Sequence, residues 1–239
     1  MLDTFDLAVG ILERTAEALE QQDAELADLV PLDDDRIDIR YAEVRESVLS
    51  LIACQSPLAG DLRLVAALLD VAGHLERVGD QCVNICKLIR LAGEQPPGSR
   101  EVIEILGEMA RLARSQVEQA KIAFGGRDPD LAEDLVRQDA RLNRLNRECF
   151  RLATELGDDA VGREWTIHMM LVARALERVG DNAVDIGEQT AFITTGLFRE
   201  FTDASRPKRG KPWRADLEEQ FANRRTGATG VRKRARQAT

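Results

Sequence analysis

Leu75-Glu76-Arg77-Val78-Gly79-Asp80 recurs letter for letter as Leu176-Glu177-Arg178-Val179-Gly180-Asp181, 101 residues later in a chain of 239. At the same offset Val83 matches Val184 and Ile85 matches Ile186. Each copy lies on an apolar stripe. Val71, Leu75, Val78, Cys82, Ile85 and Ile89 form the first, and Val172, Leu176, Val179, Ala183, Ile186 and Thr190 the second. Spacings of three and four are those of one buried helix face. An identical hexapeptide at the same point of two similar halves indicates internal duplication.

Working outward, Gly and Pro punctuate the chain between periodic segments. The pattern predicts helices over 3–29, 33–55, 57–91, 99–124, 129–156 and 160–197. Pro31 is read as the stop of the first, and Asp33-Asp34-Asp35 as the start of the second. Ser56-Pro57 makes a tight turn, Gly93 to Gly98 a linker, and Gly125-Gly126 and Gly157-Asp158-Asp159 further breaks. The fold class is all-α, a tandem of two three-helix bundles over 1–92 and 99–198. From residue 203 onward the composition turns polar and basic, which predicts a disordered tail over 203–239.

Hydrophobic residues make up 44% and aromatics 4%, in a chain dominated by helix formers. The net charge of −9 conceals a division: residues 203–239 hold 11 Lys/Arg against 4 Asp/Glu. Subtracted from totals of 33 and 42, these leave 22 basic and 38 acidic residues in 1–202, a net of −16. Such a body repels the nucleic-acid backbone, which argues against a specific nucleic-acid partner. It suits cations or basic surfaces. The N-terminus lacks the basic and apolar regions of a signal peptide, and no run of 18 apolar residues could span a bilayer. Cys54, Cys82, Cys86 and Cys149 form no CxxC pair and read as reduced thiols. The expected location is the cytoplasm.

Glu76 and Asp80 are four residues apart, one turn from each other on one helix face, and Glu177 and Asp181 repeat the arrangement. Like charges so placed cost about 0.2–0.5 kcal/mol on an isolated helix. A repeated cost of this kind suggests a compensating cation, either a metal or the neighbouring Arg77 and Arg178. If helices two and three fold back around Pro57, residues whose numbers sum to 114 lie opposite each other. Asp38 then faces Glu76, and Asp34 faces Asp80. A turn near Ala160 sets Asp139 against Asp181 and Asn143 against Glu177, with one acid fewer. Asn84 and Asp185, a turn further on, could extend each cluster. Carboxylate and amide oxygens are hard ligands, suited to Mg, Mn, Ca or iron. A solvated charged face is the plainer alternative.

The segment Gln55-Ser56-Pro57-Leu58-Ala59-Gly60-Asp61-Leu62-Arg63, followed by the first LERVGD, resembles the QxPxAxDLR…LERxGD signature of the PhoU family. The second LERVGD, the Asp34/Asp38 and Asp139/Asn143 pairs and the duplication are also similar to that family, over residues 3–198. The resemblance implies a homodimeric cytoplasmic regulator that binds metal through E/DxxxD motifs, the ion being iron, manganese, magnesium or zinc. It also implies partners, namely the ATPase of a phosphate ABC importer and a sensor histidine kinase, and repression of the phosphate-starvation response. Asn143 departs from the expected acid, and the tail lies beyond the family boundary.

His74 and His168 are the only histidines, and neither is placed to complete a Glu-x-x-His di-iron site. No phosphate-binding GxxxxGK[ST] loop is present, and nothing supports Ser-His-Asp catalysis. Arg77 and Arg178 could each bind phosphate, though an ion pair with a nearby acid is the simpler expectation. In the tail, Trp213, Leu217 and Phe221 share one helical edge between two basic clusters, a pattern that allows docking to anionic lipid. The leading reading is therefore a metal-binding adaptor and not an enzyme. A metal-free scaffold and a metal-dependent enzyme are the rivals.

Overall fold

The computed structural model describes residues 1–55, 59–93, 99–156, 160–198 and 200–201, and the elements among them are all helical. They are α1 (Leu2–Gln21), α2 (Ala24–Ala27), α3 (Val30–Gln55), α4 (Ala59–Ala92), α5 (Arg100–Gly126), α6 (Pro129–Glu155) and α7 (Ala160–Thr195). Six are long and α2 is a single turn. The expected turn at Ser56-Pro57, the linker over 94–98, the break over 157–159 and the tail from 203 lie outside the described residues.

Helix ends follow from local chemistry. Asp128 accepts hydrogen bonds from the Asp130 and Leu131 amides while Pro129 opens α6, an N-cap followed by a residue with its φ already set. Ser99 caps α5 through the Val102 amide, and Asp23 caps α2 through those of Glu25 and Leu26. Two sequence expectations are corrected here. Pro31 lies in the first turn of α3, where its missing N–H costs nothing, and does not end the first helix. That helix stops earlier, at Gln22, a left-handed residue (φ 51°). Gly125-Gly126 belong to α5, which ends one residue later at Arg127 (φ 52°).

Both predicted stripes are buried along their whole length, from Val71 to Ile89 on α4 and from Val172 to Thr190 on α7. α4 and α7 lie side by side and antiparallel. His74 reaches Asn182, while Gln81, Asn84 and Leu88 sit across from Leu171, Ala175 and Arg178. α1 and α3 pack on α4, α5 and α6 on α7, and α1 also packs on α5. One apolar core runs through both repeats, from Phe5 and Leu12 on α1 to Met109 on α5 and Leu142 on α6.

The α3–α4 hairpin outruns α1. At 1.5 Å per residue, α1 is about 30 Å long, α3 about 39 Å and α4 about 51 Å. Beyond α1 the hairpin packs on itself, with Val48 and Val65 buried, while Leu49, Leu51, Ile52 and Leu62 remain exposed.

Candidate functional site

Folding α3 back on α4 brings Asp34 and Asp38 to the level of Glu76 and Asp80. The contacts keep the predicted register: Asp34 lies against Gly79, and Tyr41 against Gly73 at 3.9 Å from where a Cβ would stand. Gly79 is what makes the approach possible. A side chain there would collide with the Asp34 carboxylate and come within 3.3 Å of Ile37. The glycine is costly inside a helix, by about 1 kcal/mol against Ala, and it makes room for an acid.

The four carboxylates repel one another. Burial, then Asp38, Asp80, Asp35 and Glu76 in that order, push the Asp34 carboxyl up to about 6. Glu76 is raised by burial, then by Asp80 and Asp38, with Arg77 a minor opposing influence. Among the described residues none of the four has a basic side chain within 4 Å, and the buried Oδ1 of Asp34 accepts no hydrogen bond. Among the described residues Arg77 lacks the ion pair expected for it. Its Nη1 lies 3.2 Å from Nδ1 of His74 instead.

The second repeat uses the same backbone plan with different chemistry. Asp139 lies against Gly180, 3.2 Å from the position of a Cβ, which would also meet Leu142 at 2.5 Å and Gln116 at 2.9 Å. Here amides and a guanidinium serve the acids. Asn143 Nδ2 donates to Asp139 Oδ2 at 2.8 Å. Asn146 Nδ2 donates to Glu177 Oε2 at 2.8 Å, and Arg174 pairs with the same oxygen. Asn143 was expected opposite Glu177, but helical stagger gives that place to Asn146, three residues on. Arg178, the expected ion-pair partner, has no carboxylate within 4 Å among the described residues, and Arg174 takes the role from one turn earlier. Asp181 is half-buried on the same helix. Asp185 lies on the α4 side of α7, its Oδ2 3.6 Å from His74 Nδ1, and so does not extend the acidic face towards α6.

Asn146, Arg174 and Gln116 were not singled out from sequence. Gln116 is fully buried beside Gly180, and neither of its amide atoms is hydrogen-bonded among the described residues. Among those residues no three Asp, Glu, His or Cys side chains stand close enough to hold a metal ion as they are. The acids share faces without closing into a cage.

The profile of the PhoU domain matches residues 2–89 and again 106–190, once on each repeat. The chain belongs to the PhoU domain family. Among curated proteins it is 33% identical over 186 residues to the phosphate-specific transport system accessory protein PhoU homolog of Zymomonas mobilis, covering 77% of this chain and 78% of that one. The crystal structure of PhoU from Pseudomonas aeruginosa is similar with a TM-score of 0.72 and 28% identity, over 82% of this chain and 94% of that one. That of the phosphate transport system regulatory protein PhoU from Streptococcus pneumoniae has the same fold, with a TM-score of 0.76 at 22% identity, over 83% and 93% of the two chains. The double PhoU match and the LERVGD duplication describe the same event, seen once as a profile and once as a repeat. No helix among the described residues is long and apolar enough to cross a membrane.

Proposed function

We propose that this chain is a cytoplasmic negative regulator of phosphate uptake and of phosphate-starvation signalling. It acts as a metal-binding adaptor between a phosphate ABC importer and a sensor histidine kinase. The observation that carries the reading is the PhoU match on both repeats, with relatives named as accessory proteins of phosphate-specific transport. An adaptor works by binding partner states differently, so no reaction needs to be catalysed.

The metal reading is supported by the first repeat. Asp34, Asp38, Glu76 and Asp80 offer only hard oxygen donors, repel one another, and among the described residues form no ion pair with a basic side chain. A divalent or trivalent ion of the magnesium, manganese or iron type fits that donor set. Holding it would require the carboxylates to turn towards one another. The second repeat fits less well, because Asn143, Asn146 and Arg174 already occupy its acid oxygens. A structural role without metal is the better reading for that half. Homodimerisation and peripheral membrane association through partners or the tail complete the proposal.

Removing the gene and following a phosphate-starvation reporter tests the regulatory role. Expression should rise in phosphate-rich medium, and an unchanged reporter would reject it. Affinity capture from phosphate-rich cells should recover an importer ATPase or a sensor kinase. Recovery of neither would reject the adaptor.

A further inference from the structure

Duplication placed two equivalent ends on the α4–α7 seam, and their charges have diverged. At one end Lys87, Arg174 and Arg178 line a groove of about 310 Å³ together with Gln81 and Asn84. Shifted by 101 residues, the equivalent positions at the other end are occupied by Glu188, Gly73, Arg77, Asn182 and Asp185. There His74 Nδ1 lies 2.9 Å from Asn182 and 3.6 Å from Asp185. The first end gathers three positive charges on a body that is otherwise strongly acidic. The second sets one carboxylate, that of Asp185, beside a histidine.

At the positive end the cations are poorly satisfied by the protein. Among the described residues neither Lys87 nor Arg178 has a carboxylate within 4 Å, and Arg174 gives one nitrogen to Glu177. Three like charges across one groove repel each other unless an anion lies between them. Leu88, Leu171 and Ala175 supply an apolar floor, and Gln81 and Asn84 add amide donors. Guanidinium and ammonium groups with amides beside an apolar surface are the donor set for phosphoryl oxygens. The groove is also within the size range of small-molecule sites, so it could take an organic group attached to the phosphoryl.

We infer that the groove formed by Lys87, Arg174 and Arg178 binds a phosphoryl dianion, either free phosphate or the phosphoryl group of a small organic phosphate. The cations and amides hold the phosphoryl oxygens, and the apolar floor takes any organic part. The groove shares Arg174 with Glu177 of the second acidic face, but the inference is independent of the partners proposed above.

Calorimetry on the full chain with inorganic phosphate and with phenyl phosphate, at low ionic strength, tests the inference. At least one should bind saturably, and Lys87→Ala with Arg178→Ala should weaken that binding at least tenfold. Lys87→Arg with Arg178→Lys should restore it. Arg100→Ala with Arg151→Ala removes the same charge elsewhere and should leave binding unchanged. Tighter binding of phenyl phosphate identifies an organic phosphate as the ligand, and tighter or equal binding of inorganic phosphate identifies the free ion. Binding of neither probe, or binding indifferent to Lys87 and Arg178, overturns the inference. Circular dichroism of each variant separates loss of binding from loss of fold, and the regulatory role is tested separately by the reporter.

Discussion

Replacing Asp34 by Asn should stabilise the protein above pH 6 and have no effect below about pH 4. Asp34 faces Asp38, Glu76 and Asp80 with its Oδ1 buried, and its carboxyl is pushed from 3.8 up to about 6. A raised acid pKa means that the folded state holds its proton more tightly than the unfolded chain. The stability associated with the protonated form is therefore complete below about 3.8 and lost as the pH rises through about 6. Moving the carboxyl from 3.8 to about 6 corresponds to about 3 kcal/mol at 1.36 kcal/mol per pH unit. Asp34 is only half-buried, so solvent screening reduces this to about 1 kcal/mol. For a unit of this size that is a rise of about 2–4 °C in Tm. Thermal melts of wild type and Asp34→Asn at pH 8, 6 and 4, with chelator present throughout, measure it. A variant less stable than wild type at pH 8, or a difference that does not change with pH, would refute the repulsion on which the site is built.

Other expectations follow from the same contacts. Gly180→Ala should destabilise by about 1–2 kcal/mol, because crowding of Leu142 and Gln116 outweighs the gain in helix propensity. Gly79→Ala should cost less, since it displaces chiefly the Asp34 carboxylate, and urea unfolding of the two variants compares them. Asn146→Ala removes a hydrogen bond to a charged oxygen and should lower stability by about 1.5 kcal/mol, read in the same assay. Of the four thiols only Cys54 is exposed, while burial raises the pKa of Cys82, Cys86 and Cys149. A thiol reagent under native conditions should modify one cysteine quickly, and Cys54→Ser should abolish that fast phase.

The fold was legible because two signals agreed. The apolar stripes from Val71 and Val172 are buried throughout, and the repeated hexapeptide marks equivalent helices. Register was legible too, since a helical hairpin with a short turn fixes which residues face each other. That arithmetic set Asp34 against Asp80 and Asp139 against Asp181, and each acid lies against the glycine one residue earlier. Single partners were not recoverable. Asn146 serves Glu177, and Arg174 pairs with it in place of Arg178, because stagger and side-chain length decide among residues one turn apart. Helix ends set by one residue were also missed. Gln22 turns left-handed with no glycine to announce it, and Pro31 sits harmlessly in a first turn. The groove of Lys87, Arg174 and Arg178 needed the antiparallel seam of α4 and α7, which joins segments that sequence spacing alone does not relate.

We propose that the mutually repelling acids of the first repeat, more than those of the second, hold a hard cation. Titration of the metal-free protein with Mn²⁺ at pH 7.5 tests it most directly. Saturable binding should survive Glu177→Gln and be lost in a variant carrying Asp34→Asn and Asp80→Asn. Absence of saturable binding to the wild-type chain, or its persistence in the Asp34→Asn, Asp80→Asn variant, would contradict it.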